Sequence, residues 1–289
     1  MNRLALGTVQ FGLPYGIANQ LGQVTRPEAM AMLQLAAENS IDTLDTAIAY
    51  GESEACLGGI GTQSFKVVTK LPALPENDTD VSEWVNQQLS ESLSRLGVTA
   101  IYGLLLHRPE QLLGPNGEKL YKALRTLKDK GQVQKIGVSI YSPDELNALM
   151  PRHHFDLVQA PFNLVDQRLS SSGWMRRLKD FDVEIHTRSS FLQGLLLMKK
   201  AEIPAKFLPW DRLWQTWHKW LADQSVSAVQ ACLAFSLSFP EIDRVVVGAD
   251  SKKQLAQIID AAKPQRIIDM PNLKCDDENL INPARWRIL

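Results

Sequence analysis

Short runs of apolar and β-branched residues recur along the chain, and longer stretches with helical spacing lie between them. Continuous apolar runs of this length are typical of strands that are buried on both faces, as in a parallel sheet. The pattern therefore predicts eight strands, at residues 4–6, 43–45, 66–70, 103–107, 135–139, 157–159, 183–186 and 244–248.

The stretches between these runs carry helix signals. In the first, Thr25 can cap a helix, Pro27 suits its first turn, and apolar residues follow from Ala29 at helical spacing. The same reasoning predicts further helices at residues 81–96, 119–130, 142–149, 212–239 and 251–262.

Strand and helix thus alternate eight times, which favours a parallel sheet with right-handed crossovers. Eight units in 289 residues favour a closed barrel over an open sheet. We predict an α/β protein, a (β/α)8 TIM barrel that forms one domain over residues 1–289. A C-terminal tail from about Pro264 is expected to lie across the barrel. The loops after the fourth and seventh strands look short, so we expect an open mouth.

Composition narrows the class of protein further. The net charge is −1, which gives no bulk electrostatic reason to expect a nucleic acid or an anionic membrane as partner. The three cysteines are far apart in sequence and indicate neither a disulfide framework nor a metal site. Since no apolar window approaches the roughly 20 residues that span a bilayer, we expect a soluble, cytoplasmic protein.

Polar residues follow six of the predicted strands. In a barrel of this kind the carboxyl ends of the strands converge on one mouth, where active sites are built. We therefore expect one site that contains side chains from six strands: Asp45, Lys70, His107, Ser139, Gln159 and Arg188.

Tyr50, just past the second strand, completes a set that can transfer a proton. A phenol has an ordinary pKa near 10, and a neighbouring ammonium lowers that value. Lys70 can supply this charge, Asp45 can pair with Lys70, and His107 can hydrogen-bond the phenol or a substrate carbonyl. Carbonyl reduction needs such a donor, because hydride addition creates an alkoxide.

The order of these residues resembles the aldo-keto reductases. The segments 45–47 and 50–54 read DTA and YGESE, and the lysine and histidine motifs follow at 68–70 and 105–109. The resemblance implies a catalytic tetrad of Asp45, Tyr50, Lys70 and His107. It also implies NADP(H)-dependent reduction of an aldehyde or ketone. The expected open mouth would suit sugars and sugar derivatives as well as small aldehydes.

The same resemblance implies roles in binding the nucleotide. Thr8 and Gln10 would lie near the nicotinamide, Ser139 and Gln159 would bond its carboxamide, and Arg188 would cover its face. The pyrophosphate would be lined by Ser189, Leu192 and Gly194.

The adenosine end departs from the family pattern. The family often has a small hydroxyl residue where this chain has Asp250, in a segment that also supplies Gly248, Ser251, Lys252 and Gln254. A carboxylate opposes a 2′-phosphate and accepts a bond from a ribose hydroxyl instead. Lys252 and its neighbour Lys253 favour a phosphate. On balance the sequence favours NADP(H), with NAD(H) as the alternative.

Two other functions stay open at this point. A barrel that binds the nucleotide as a redox sensor or regulator would turn over little substrate. A lyase or isomerase would need a Schiff-base lysine, for which Lys70 is the candidate at a strand end.

A cluster of four tryptophans, Trp210, Trp214, Trp217 and Trp220, follows helical spacing. We interpret it as a helix packed on the barrel, with a substrate wall or partner face as the alternative. The oligomeric state is not readable from the sequence.

Overall fold

The structure, a computed structural model, describes residues 2–76, 80–263 and 269–287. Eight parallel strands close into a barrel in sequence order, with the first paired to the last. This confirms the predicted fold class. The strands are β1 (Leu4–Gly7), β2 (Thr43–Asp45), β3 (Lys66–Leu71), β4 (Ile101–Leu106), β5 (Val133–Ser139), β6 (Leu157–Pro161), β7 (Glu184–Arg188) and β8 (Arg244–Gly248).

Helices connect successive strands and surround the barrel. They are α1 (Arg26–Glu38), α2 (Ser53–Ile60), α3 (Val81–Leu96), α4 (Gly117–Asp129), α5 (Asp144–Leu149), α6 (Arg168–Ser171), α7 (Trp174–Asp180), α8 (Asp211–Gln224), α9 (Ala228–Leu237), α10 (Lys252–Ala261) and α11 (Glu278–Ile281). Within the described ranges, no helix is both long enough and apolar enough to cross a bilayer.

The prediction of one long helix over residues 212–239 is wrong. Ser225 ends α8 in a left-handed conformation, with φ of +54°. Ser227 then starts α9 through a capping box, in which its hydroxyl accepts from the Gln230 N–H and the Gln230 side chain accepts from the Ser227 N–H. The N-terminus of α9 is thereby directed towards the mouth of the barrel.

The expectation of a short loop after the seventh strand is also wrong. Residues 189–210 separate β7 from α8 and form three short 3-10 segments. Within this loop, Gly194 has a φ of +91°, and a Cβ built there would lie 2.5 Å from the Ala18 Cβ. The loops after β1 and β7 therefore meet above the mouth, which narrows it.

Two of the four tryptophans, both on α8, are buried against the loop after β7. Trp214 and Trp217 are buried, and their ring N–H groups donate to the carbonyl oxygens of Phe207 (2.9 Å) and Leu196 (3.0 Å). The helix α8 is therefore fixed to the loop after β7.

The tail packs beside the mouth. Pro264, where we expected it to begin, lies outside the described residues. The Cys275 N–H donates to the Val165 carbonyl oxygen at 3.0 Å, and the Trp286 ring lies 4.8 Å from that of Phe207. The tail therefore contacts the loops after β6 and β7.

Candidate active site

The centre of the site is a buried ion pair between neighbouring strands. The Lys70 ammonium, on β3, donates to both carboxylate oxygens of Asp45 on β2, at 2.8 and 2.9 Å, and to the Thr46 carbonyl oxygen at 2.8 Å. These bonds use all three N–H donors of the ammonium. Gln159, on β6, donates its amide to the same Asp45 carboxylate at 2.6 Å. The pair is therefore oriented from both sides of the barrel.

Tyr50 and His107 stand next to this pair. The Lys70 Nζ lies 5.1 Å from the centroid of the Tyr50 ring. The Tyr50 and His107 rings meet edge to face, with centroids 6.0 Å apart. Tyr50, His107 and Asp45 line one cavity, and Lys70 lies behind them. The structure thus brings the four predicted catalytic residues together.

Loop packing holds Tyr50 in place. The Ser53 hydroxyl donates to the Thr8 carbonyl oxygen at 2.8 Å and lies 3.0 Å from the Thr46 hydroxyl. A Cβ built at Gly12 would lie 1.8 Å from the Tyr50 carbonyl oxygen. The loop after β1 therefore packs directly on the turn that carries Tyr50, and only glycine fits at that contact.

The buried carboxylate of Glu54 holds the same turn through side chains on β3 and α3. It accepts from the hydroxyls of Thr69 (2.6 Å) and Ser92 (2.7 Å) and from the Arg95 guanidinium (2.9 Å). The last two residues of the YGESE segment thus position the turn rather than face the cavity.

The pKa of Tyr50 differs from the expectation. Burial raises the pKa of Tyr50 above its ordinary value, the Asp45 carboxylate adds to the rise, and the Arg188 guanidinium opposes it. The predicted lowering by Lys70 is therefore wrong, since the Asp45 carboxylate already balances the Lys70 charge. A raised pKa keeps the phenol protonated at neutral pH, which is the state that a proton donor needs.

His107 is also kept neutral. Burial lowers its pKa to about 4, and the charges of Lys70 and Arg188 contribute in the same direction. Burial lowers the pKa of Lys70 as well, while the Asp45 carboxylate opposes that shift. The site therefore presents a neutral phenol and a neutral imidazole to the cavity.

The cavity has a volume of about 700 Å³. Most of the residues expected to hold a nucleotide line it. They are Thr8, Gln10, Ser139, Gln159, Arg188, Ser189, Gly194, Gly248, Asp250 and Gln254.

Three expected nucleotide residues do not line the cavity. Leu192 is buried in the core, and Ser251 caps α10 by accepting from the Gln254 N–H. The Lys252 side chain is exposed, and its backbone N–H donates to the Glu28 carboxylate. Core packing, helix capping and a long-range hydrogen bond to Glu28 thus position Leu192, Ser251 and Lys252, respectively.

Several lining residues were missed in the sequence. Tyr141 follows the recognised Ser139, and Tyr15 lies in the loop after β1. The start of α9 also lines the cavity, at residues 227–229. The capping box Ser227 to Gln230 was a readable signal for that helix start, whereas Tyr15 had no such signal.

Two buried oxygens in the cavity wall indicate that a polar molecule belongs there. The Gln10 Oε1 and Ser190 Oγ atoms are buried, and neither has a hydrogen-bond partner within the described ranges. Buried polar groups in proteins are nearly always bonded. The wall therefore fits a ligand rich in hydroxyl and amide groups, as a nicotinamide dinucleotide is.

Comparisons with known proteins agree with this geometry. The model of the aldo/keto reductase family matches residues 3–270. The oxidoreductase sirO of Leptosphaeria maculans is 25% identical, over 72% of this chain and 65% of that protein. The chain thus spans just under two thirds of that relative's length. The D-threo-aldose 1-dehydrogenase of a Pseudomonas species is 28% identical, over 88% of this chain and 89% of its own length.

A solved structure has the same fold. The holo form of an aldo-keto reductase from Bacillus halodurans superposes with a TM-score of 0.74 at 18% identity. The match covers 92% of this chain and 88% of that one.

The lowered pKa of His107 predicts a pH dependence of stability. Between its ordinary value near 6.5 and about 4, the unfolded chain binds a proton at this residue and the folded chain does not. The free energy of unfolding therefore decreases as the pH falls from 6.5 towards 4, because the unfolded chain gains a proton at His107 and the folded chain does not. We expect that loss of stability, measured by urea unfolding at pH 7 and pH 4.5, to be smaller in His107→Gln.

His154→Gln, an exposed histidine, provides the matched control and should retain the wild-type loss. An equal loss in wild type and His107→Gln would contradict the assignment of a neutral, buried imidazole.

Proposed function

The chain belongs to the aldo/keto reductase family, and from that premise we propose that it reduces an aldehyde or ketone to the alcohol with Tyr50 as the proton donor. The observation that carries this proposal is the convergence of four side chains at one cavity, with the Tyr50 phenol in its wall, the Lys70–Asp45 pair behind it and the His107 ring beside it. A bound nicotinamide dinucleotide would supply the hydride.

The chain's own residues hold the substrate and move the proton. A carbonyl oxygen between Tyr50 and His107 would accept from the phenol and from one imidazole N–H, since neutral histidine has one N–H to donate. As negative charge develops on that oxygen, the phenol proton transfers to it. The Arg188 guanidinium, whose charge opposes the rise in the Tyr50 pKa, then stabilises the phenolate left behind. The Lys70–Asp45 pair, with its ammonium 5.1 Å from the Tyr50 ring centroid, positions the ring.

Polar groups in the wall would hold the nucleotide. Ser139 and Gln159 are already joined by a 3.3 Å hydrogen bond at the end of β5 and β6, and both line the cavity. They would bond an amide, while Gln10 and Ser190 offer their unpartnered oxygens.

For the choice of nucleotide, the structure supports NAD(H), which reverses the preference for NADP(H) drawn from the sequence. That preference rested on the family pattern and on Lys252 and Lys253, whose side chains are exposed and outside the described cavity wall. Asp250 lines the wall, and the Glu28 carboxylate takes the first N–H of α10. Two carboxylates therefore lie at the start of α10, in the segment that the resemblance assigns to the adenosine end of the nucleotide.

Sugar-derived carbonyls fit the proposal. The cavity wall combines aromatic rings, from Tyr15, Tyr141 and Phe191, with hydroxyl and amide groups. One relative, the D-threo-aldose 1-dehydrogenase, is named for a sugar substrate. We propose aldoses and their derivatives as the first substrates to test.

The geometry weighs against Schiff-base chemistry on Lys70. The ammonium is 1% exposed, and its three donors are engaged by Asp45 and Thr46. Binding of the nucleotide without turnover of any carbonyl would favour the regulatory barrel instead.

Replacement of Tyr50 by phenylalanine should lower kcat by about 10²- to 10⁴-fold, because it removes the proton donor while the ring stays. Nucleotide affinity, measured by calorimetric titration, should change little. Turnover of an aldehyde panel is followed through the absorbance of the reduced nucleotide.

Tyr121→Phe is the matched control, since this hydroxyl bonds the His154 backbone outside the cavity wall. That variant should retain full turnover. A kcat of Tyr50→Phe equal to that of wild type would contradict the role of Tyr50 as proton donor.

The two nucleotides should bind with different affinities. We expect wild type to bind NADH more tightly than NADPH, and Asp250→Ser to improve NADPH binding roughly tenfold by removing a like charge. Asp211→Ser, a carboxylate outside the cavity wall, is the control and should leave both affinities unchanged. Tighter binding of NADPH by wild type would contradict the role given to Asp250.

A further inference from the structure

A second cavity lies at the amino-terminal end of the barrel, opposite the mouth. It has a volume of about 160 Å³ and is lined by residues from 62–67 and 98–102 and by Gln134, where β3, β4 and β5 begin. We call it the basal cavity. Within the described ranges it shares no lining residue with the active-site cavity. Because active sites in such barrels are built at the carboxyl ends of the strands, carbonyl reduction has no use for this second cavity.

Lys66 is the one charged side chain among the described residues that line the basal cavity. Its ammonium lies 3.2 Å from the Asp42 carboxylate, and the Arg244 guanidinium donates to the same carboxylate at 3.0 and 3.1 Å. Within the described ranges, neither cation pairs with another carboxylate. One carboxylate is therefore shared by two cations, which leaves one positive charge uncompensated beside the cavity.

The Tyr102 ring forms a fixed part of the wall. Its phenol donates to the Glu184 carboxylate at 2.6 Å, and that carboxylate is paired with Lys135. The Lys66 and Lys135 ammonium groups lie 5.3 and 5.5 Å from the centroid of the ring. These contacts hold the ring in place before a ligand binds, which lowers the entropic cost of binding.

Thr62 supplies a buried hydroxyl without a partner. The residue is 1% exposed, and its Oγ1 has no hydrogen-bond partner within the described ranges. Buried polar groups in proteins are nearly always bonded. Since Thr62 lines the basal cavity, a molecule inside that cavity can supply the partner.

Apolar side chains form much of the remaining wall. Phe65, Val98 and Ile101 line the basal cavity together with the Tyr102 ring. An apolar cavity of roughly 150 Å³ accommodates a benzene ring. The basal cavity therefore has the size and the apolar surface for one ring, and an ammonium and a hydroxyl for an anionic group on that ring.

We propose that the basal cavity binds a small carboxylate with an apolar body, such as an aromatic acid of one ring. The Lys66 ammonium and the Thr62 hydroxyl would donate to the carboxylate, which only accepts hydrogen bonds. The ring would pack against Tyr102 and Ile101. This site is separate from the proposed reduction and is a second function of the barrel.

Calorimetric titration with three probes tests the ligand class. Benzoate carries the charge and the ring, benzamide carries the ring without the charge, and inorganic phosphate carries charge without an apolar body. We expect wild type to bind benzoate roughly tenfold more tightly than benzamide, and more tightly than phosphate.

Lys66→Met removes the charge and keeps most of the side chain. Its affinity for benzoate should fall by about tenfold, the usual contribution of a hydrogen bond to a charged group. Its affinity for benzamide should stay within a few-fold of wild type, which a merely structural loss would not allow. Lys119→Met, an exposed lysine of α4 outside both cavities, is the matched control and should bind benzoate as wild type does.

Thr62→Val removes the hydroxyl and nearly keeps the shape. Benzoate should bind this variant about threefold to tenfold more weakly. Urea unfolding without a ligand should show no loss of stability, because the hydroxyl has no partner in the folded chain within the described ranges. A destabilised Thr62→Val that retains its affinity for benzoate would contradict the role given to this hydroxyl.

A variant of the other cavity locates the bound benzoate. His107→Gln changes the wall of the active-site cavity and should retain the wild-type affinity for benzoate. Affinity that falls in His107→Gln and persists in Lys66→Met would overturn the inference. So would wild type that binds no benzoate, that binds benzoate and benzamide equally, or that binds phosphate more tightly than benzoate.

Discussion

The buried pair of Lys70 and Asp45 is the constraint on which the site depends. Removal of two charges from water costs several kcal/mol per ion, and only close, multiple hydrogen bonds offset that cost. Here the ammonium has three acceptors, and the carboxylate has a further donor in Gln159. Loss of either partner would leave an uncompensated charge and destabilise the fold by about 3–5 kcal/mol. The pair thus joins β2, β3 and β6 at the mouth of the barrel.

The pair also affects the protonation of Tyr50 and His107. Burial keeps the Tyr50 phenol protonated, and the Asp45 carboxylate of the pair adds to the rise in its pKa. Burial also keeps His107 neutral, and the charges of Lys70 and Arg188 lower its pKa further. Among the described residues that line the active-site cavity, Arg188 is the one lysine or arginine. A neutral donor pair beside one cation suits the reduction of a carbonyl group.

Much of the architecture could be predicted because its signals are local. Strand β2 was predicted with the bounds that the structure shows, and residues at strand ends converge on one mouth in any closed parallel barrel. The capping box from Ser227 to Gln230 signalled a new helix start, but the left-handed conformation of Ser225 that ends α8 could not be predicted, since serine seldom adopts a positive φ. The place of Lys252 depends on Glu28, more than two hundred residues away in sequence. The pKa of Tyr50 depends on burial, which spacing along the chain does not reveal.

A double-mutant cycle on Lys70 and Tyr50 tests the central claim most directly. The rate of a single turnover of carbonyl reduction is measured in wild type, Lys70→Met, Tyr50→Phe and the double variant, at a temperature where unfolding shows all four to be folded. If the two residues act as a unit, the double variant is no slower than the slower single variant. If the two effects multiply, the residues act independently and the ion pair does not support proton donation by Tyr50.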